Sequence, residues 1–448
     1  MTIYKVLIRG ALLPDGARTD ILIDGGRITE LGTALSAVGA RPIDAAGLIA
    51  LPGLVDLHTH LREPGFEQSE TVLSGTQAAA AGGFTTVFAM ANTSPVADTA
   101  GVVEQVLTLG ESAGYATVRP IGAVTVGLEG RQLAELGAMA HSRAQVRVFS
   151  DDGQCVSDPL LMRHALEYVK AFGGVIAQHA QDPRLTEGAQ MNEGALSGQL
   201  GLTGWPAVAE ESIIARDVLL AEHVGGRLHV CHVSTAGSVD VLRWAKARGI
   251  AVTAEVTPHH LLLTEDLAAS YDARYKVNPP LRRSEDVRAL RDALADGTID
   301  IVATDHAPHP VEAKDCEWDA AANGMVGLES ALSVVHAAVV ESGQLSWVDV
   351  ERVLSLAPAR IGSLSADRSI AIGARADVTL YDPSASRRFS TRDLVGKATN
   401  SPYLDRTLPG RVITTIHAGY PTVLDGLVRE AGEVAEYART LHGGDTRG

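Results

Sequence analysis

The chain has 448 residues, 46% of them hydrophobic, enough for one large buried core and a smaller second one. Its formal net charge of −16 excludes a nucleic-acid or anionic-membrane partner held by general charge, though not a small anionic substrate met by one buried arginine. Three cysteines, Cys155, Cys231 and Cys316, with no CxxC pair, predict reduced thiols and a cytoplasmic location; no basic-then-apolar leader opens the chain, and no apolar run approaches the ~18 residues of a membrane span.

Residues 1–50 carry short strand-like runs, Tyr4–Arg9, Thr19–Asp24 and Arg27–Leu31, broken by Pro14-Asp15-Gly16 and Asp24-Gly25-Gly26. Such a unit cannot bury its faces alone. Short strands return at Ala376–Tyr381, Val412–Ala418 and Thr422–Asp425. Pairing of the two ends predicts a composite β domain from residues 1–50 and 368–430, followed by a C-terminal tail, 431–448, whose last residues are disordered.

Between them the pattern changes. Apolar strand candidates near 51–58, 83–90, 116–122, 145–150, 173–179, 227–233, 250–256 and 299–304 alternate with helical stretches near 69–81, 99–113, 130–142, 159–171, 207–223, 236–248, 285–295 and 327–342. Eight strand–helix pairs over about 290 residues predict a (β/α)8, TIM-like barrel across 51–367. A doubly wound sheet is the rival, but it would gather functional residues at one switch crevice. Here they sit at the ends of many strands.

The run Leu51–Leu57 ends in His58-Thr59-His60. Side chains two apart in an extended chain share a face, so the two imidazoles aim at one point, with Arg62 following on the same side. Four more candidate ligands close other strands: Asp152 in RVFSDDG, His179 in GGVIAQH, His232 in RLHVCH and Asp305 in DIVATD. In a parallel barrel all strand C-termini line one pocket. Six nitrogen and oxygen ligands exceed one tetrahedral zinc and suit two metals sharing a carboxylate and a water. Asp151 competes with Asp152, since an aspartate after a strand is also a good helix cap. His141 and His164 read as helix-surface residues, His229 as a strand residue short of the end, and His259 and His260 as structural or supporting.

The segments HTHLREPG, MANTSP, FSDDG, CHVST, TPHHL, KVNPPLR and ATDHAPH follow one another in this order. Together they resemble the dihydroorotase family, the bacterial type I branch of the amidohydrolase superfamily, over residues 3 to 428. The resemblance implies a (β/α)8 barrel flanked by a small β-sandwich from both termini, and two zinc ions with a bridging hydroxide. It implies that His58 and His60 hold one metal and His179 and His232 the other. Asp152 would bridge them, and Asp305 would be both a ligand of the first metal and the general acid/base. The related hydantoinases usually bridge with a carbamylated lysine, but no lysine lies between Lys5 and Lys170. The implied reaction is the reversible hydrolysis of (S)-dihydroorotate to N-carbamoyl-L-aspartate in pyrimidine biosynthesis.

Substrate recognition calls for a cation facing the ring carboxylate, and Arg62 suits a bidentate pair. The resemblance adds Asn92, Asn278, His309 and backbone groups at Asn323 and Gly324. Two residues depart from the family pattern: Ala91 stands where proline is usual, and Asn323 where a bulky aromatic is common. The charged, alanine-rich segment 310–324 reads as a mobile lid. The rival readings are a sister cyclic amidase (allantoinase or hydantoinase) and a non-catalytic barrel partnering aspartate carbamoyltransferase; a homo-oligomer and a carbamoyltransferase partner are compatible with the main one.

Overall fold

The structure, a computed structural model, describes residues 4–365 and 367–442. Its strands, in chain order, are β1 (Lys5–Leu12), β2 (Arg18–Asp24), β3 (Arg27–Gly32), β4 (Arg41–Asp44), β5 (Ile49–Pro52), β6 (Leu54–Thr59), β7 (Phe84–Ala89), β8 (Thr117–Pro120), β9 (Val148–Phe149), β10 (Val175–Gln178), β11 (Met191–Asn192), β12 (Gly204–Trp205), β13 (Leu228–Val230), β14 (Val252–Val256), β15 (Ile301–Val302), β16 (Val378–Arg388), β17 (Thr407–His417), β18 (Tyr420–Leu424) and β19 (Leu427–Val428).

The two ends of the chain share one nine-stranded sheet, ordered β19-β18-β17-β16-β5-β1-β2-β3 with β4 added to β1. The antiparallel pair of β5 with β16 joins the N-terminal strands to the C-terminal ones. This sheet buries its own apolar cluster, including Val6, Ile8, Ile21, Ile23, Val378, Leu380 and Ile416.

The middle of the chain is mixed α/β with parallel sheets. One holds β6-β7-β8 and another β9-β10-β13-β14-β15. Isolated parallel bridges span both seams between them: Gly122 with Phe149, and Thr59 with His306. At the second seam the buried Asp56 carboxylate accepts from Thr304 N at 2.9 Å and from the hydroxyls of Thr59 and Thr304. Val55, Leu57, Phe88, Val148, Val175 and Ile301 from β6, β7, β9, β10 and β15 meet in one buried cluster.

Between the parallel strands run the helices Val72–Ala81, Ala100–Ala113, Leu136–His141, Pro159–Lys170, Val208–Val224, Ala236–Ala247 and Ser284–Asp296, with Ala331–Val335 after β15. Their starts follow capping rules: Thr71 and Ser74 form a capping box, Asp158 caps Leu161 N ahead of Pro159, and Thr235 caps Ser238 N. No helix among the described residues is long and apolar enough to cross a membrane.

Three stretches differ from expectation. The helix expected over 130–142 shrinks to Leu136–His141, because Gln132–Ala134 pair back with Val124–Val126, Val126 N donating to Gln132 O and Ala134 N to Val124 O. The helix expected over 327–342 changes pitch, from Ala331–Val335 to a π turn at His336–Val340. The tail expected from 431 opens with a helix, Ala431–His442, which buries Val434 and stacks Tyr437 on Tyr420 at 4.6 Å; residues 443–448 lie outside the described residues. The expected lid, 310–324, is anchored at its centre. Trp318 is buried beside Met191 and Ala268, and the ammonium groups of Lys276 and Lys314 donate to carbonyls of Trp318 and Ala322.

Candidate active site

Every residue of β6 is buried, and the strand delivers His58 and His60 to its carboxyl end. Asp152 follows β9, His179 follows β10, His232 follows β13 and Asp305 follows β15. The fold gathers all six. His58, His60, Asp152 and Asp305 each offer an atom to one group whose members lie within 4.8 Å of one another; Asp152, His179 and His232 form a second such group.

Asp152 is common to both. Its Oδ2 stands 3.3 Å from the Nε2 atoms of His58 and His60, and its Oδ1 stands 3.2 Å from His179 Nδ1 and 3.3 Å from His232 Nε2. Asp305 Oδ1 lies 3.1 Å from His60 Nε2 and 3.3 Å from His58 Nε2. Asp151 turns away and accepts from Val124 N and Thr125 N at 2.8 and 3.0 Å, so the ambiguity between adjacent aspartates resolves by geometry.

Three of the four imidazoles are oriented from behind. His58 Nδ1 donates to Glu255 Oε1 at 2.6 Å, His60 Nδ1 donates to Asn92 Oδ1 at 2.9 Å, and His179 Nε2 donates to Gln181 Oε1 at 2.7 Å. Glu255 in turn meets His229 Nε2 at 3.0 Å, and His229 Nδ1 meets Thr253 Oγ1 at 2.8 Å. Glu255 and Gln181 were not singled out from the sequence. Gln181 carried a usable signal, lying two residues past His179 as Arg62 does past His60; Glu255 showed only as a carboxylate sharing a strand face with Thr253.

The electrostatics suit a bound cation. Burial alone would raise Asp152, but His58, His179 and His232 hold it well below the usual carboxylate range. Burial alone would lower His58; Asp152, Asp305 and Glu255 outweigh it and hold His58 well above the usual histidine range. The cluster thus draws positive charge into its centre, and the buried His58 Nε2 has no hydrogen-bond partner. A set of imidazole and carboxylate donors with such an atom fits a divalent, zinc-like metal.

The cluster floors a cavity of about 230 Å³ whose walls include Arg62, Asn92, Asn278, His309, Asn323 and Gly324. Arg62 is half-buried: desolvation lowers its guanidinium to about 10, against the pull of Asp305, Asp152 and Glu70. Its Nε donates to Pro308 O at 3.1 Å, and its two terminal nitrogens have no hydrogen-bond partner among the described residues. Asn278 Nδ2 donates to Gln181 Oε1 at 2.9 Å, while its buried Oδ1 has no partner. His309 Nε2 donates to Asn323 O at 2.7 Å. The Gly324 N–H is taken by Lys276 O and its carbonyl by Asn400, so these backbone groups are committed within the protein. Gly324 has φ +136°, and a Cβ there would stand 2.8 Å from Ala307 Cβ and His309 Nε2.

Arg62, His232 and Asp305 take positive φ of 63°, 33° and 47°. Left-handed backbone at a residue with a side chain costs about 1–2 kcal/mol and persists where the surroundings over-determine it, as at functional sites.

Fold and site together define an amidohydrolase-type enzyme. The fold matches solved structures of an L-hydantoinase (dihydropyrimidinase) from Arthrobacter aurescens, with a TM-score of 0.85 and 24% identity over 95% of this chain and 98% of that one, and of a dihydropyrimidinase from Brevibacillus agri, with a TM-score of 0.81 and 24% identity over 95% and 96%. Residues 47–238 match a family model described as dihydro-orotase-like. Proteins named dihydroorotase from Leifsonia xyli, Streptomyces coelicolor and Mycobacterium tuberculosis are 78%, 64% and 52% identical, over 95%, 94% and 95% of this chain and 97%, 99% and 100% of theirs. The chain belongs to the dihydroorotase family.

Proposed function

We propose that this chain interconverts (S)-dihydroorotate and N-carbamoyl-L-aspartate by hydrolysis and closure of the ring amide. The observation that carries the substrate is Arg62, a half-buried guanidinium whose two terminal nitrogens have no hydrogen-bond partner among the described residues, on the wall of a cavity floored by the His/Asp cluster. A planar guanidinium matches a ring carboxylate bidentately. The 78% identity to a protein named dihydroorotase supports the same reading.

His58 and His60 would hold one zinc ion, His179 and His232 a second, Asp152 both, and Asp305 the first. When bound, the metal pair supplies a nucleophile from water at neutral pH and polarises the amide carbonyl. The remaining steps belong to the chain. Arg62 holds the ring carboxylate, and Asn278 Oδ1, lacking a partner, accepts from a ring N–H. Asn92 and His309 close the cavity around the ring. Asp305 takes the proton of the attacking water and returns it to the departing ring nitrogen, acting as base and then acid. In ring closure the same carboxylate works in reverse.

The reading extends to architecture. The two parallel-bridged seams support a closed (β/α)8 barrel over 51–367, with a β domain from 1–50 and 368–430, expected as a sandwich. Three free cysteines support a reducing, cytoplasmic setting. Self-association and a complex with aspartate carbamoyltransferase are part of the reading and are tested by light scattering with and without that enzyme.

The deciding experiment is loss of dihydroorotate by ultraviolet absorbance, with metal content measured on the same sample. Turnover with about two zinc ions per chain is the expected result. Hydrolysis of hydantoin or allantoin without turnover of dihydroorotate would overturn the substrate, and full activity with one ion would overturn the paired centre.

A further inference from the structure

A cavity of about 530 Å³ shares no lining residue with the His/Asp cluster. It opens between the β2–β3 turn, the helix Ala100–Ala113 and the first residues of β8, at the opposite end of the parallel strands. Its volume is typical of a small-molecule site. One wall is apolar or bare backbone, with Leu107, Gly110, Ala116 and Val118; the other carries Arg27, Arg119 and Arg375.

The charges around it do not balance. Arg27 faces Asp367 at 3.6 Å, and Glu111 is paired with Arg143 at 2.8 Å. That leaves Arg119, Arg368 and Arg375. Asp377 lies 3.1 Å from Arg375 and 3.9 Å from Arg368; Arg119 has no carboxylate partner among the described residues. Asp377 meets Arg375 at Nε, so the counter-charge of this pair lies on the protein side and the terminal nitrogens face the cavity wall. Arg375 Nη2 donates to Thr117 Oγ1 and His417 Nε2, which pins its guanidinium at the cavity wall. Burial lowers Arg119, and neighbouring Arg147 lowers it further. Half-buried Arg119 is thus a cation without a facing carboxylate at the cavity wall, and it stands out in a chain of net charge −16.

We propose that this cavity is a binding site for a phosphate-bearing anion, held by Arg119, Arg375 and Arg27, with the apolar wall receiving the body of a small phosphate ester. Guanidinium groups match phosphate oxygens bidentately, and the bound anion supplies the missing negative charge. The site is independent of the hydrolytic reaction.

The test is calorimetric titration of the full chain with inorganic phosphate, pyrophosphate and adenosine 5′-monophosphate, and thermal melting with each against sodium chloride of matched ionic strength. Saturable binding with Kd below about 1 mM and a Tm raised by several degrees at saturation are expected. Arg119→Gln and the exposed Arg27→Gln should each weaken binding about tenfold or more while turnover at the distant His/Asp site is unchanged. Tighter binding of the ester than of inorganic phosphate identifies an esterified ligand; equal binding identifies free phosphate. No saturable binding up to about 10 mM, wild-type affinity in both variants, or the same Tm gain from chloride overturns the proposal.

Discussion

Three side-chain oxygens select which nitrogen of His58, His60 and His179 is presented to the centre of the site. Glu255 Oε1 and Asn92 Oδ1 take the Nδ1 protons of His58 and His60, leaving both Nε2 atoms free; Gln181 Oε1 takes the Nε2 proton of His179, leaving Nδ1. Carboxylates behind metal-ligating imidazoles fix tautomer and ring orientation, and losing one costs about 10–100-fold in metal affinity. Glu255→Gln should therefore shed zinc to a competing chelator at correspondingly lower concentration; retention equal to wild type would remove Glu255 from this role. Arg62→Lys keeps a charge but loses the planar fork, so KM should rise about tenfold or more with zinc content unchanged, and an unaltered KM would sink its pairing with the carboxylate. The six candidate ligands were legible because strand ends and period-two spacing are local signals. Asp151 against Asp152 was not, because adjacent residues point apart and only Val124 and Thr125, brought in from another strand end, show which one is occupied. Glu255 was invisible for the same reason: its partner His58 is 197 residues away.

At the scale of elements, the seam between β6 and β15 brings the HxH strand beside the strand that ends in Asp305. Asp56 binds this seam, accepting from Thr59 and from both the backbone and hydroxyl of Thr304, in full burial. Burial raises its pKa despite those donors, so the carboxylate is costly to keep and its hydrogen bonds offset that cost. Asp56→Ala strands these buried donors at about 1–3 kcal/mol each. The unfolding free energy should fall by about 3 kcal/mol or more, read from urea titration; a loss under about 1 kcal/mol would show that the seam relaxes around the gap. The strands and most helices between them were legible from apolar runs and period. What periodicity missed was governed by tertiary contact. The helix Ala431–His442 is amphipathic, but its apolar partners, among them Tyr115, Tyr420 and Val423, come from distant parts of the chain.

At the scale of the whole molecule, the junction between the nine-stranded sheet and the parallel strands is held by buried polar groups. His417, the last residue of β17, donates from Nδ1 to Gly114 O and accepts at Nε2 from Arg375, beside Thr117 and Asp377. Burial, reinforced by Arg375, lowers it to about 4 from its ordinary 6.5. Because the folded pKa is depressed, the neutral ring's contribution to stability is fully present above pH 6.5 and is lost as pH falls through about 4. In that window the unfolded chain takes a proton that the folded chain refuses. The slope is about 1.4 kcal/mol per pH unit, or about 3 kcal/mol across it. His417→Asn keeps a donor and an acceptor but cannot titrate, so its stability should fall by about 2 kcal/mol less than that of wild type between pH 7.5 and pH 5, in phosphate-free buffer. Identical losses in the two proteins would mean that His417 is protonated in the folded state already, and that Arg375 and Asp377 rearrange around the charge. Because Arg375 also faces the large cavity, a bound anion should ease protonation of His417 and flatten the wild-type acid slope, which ties the stability of this junction to occupancy of that cavity.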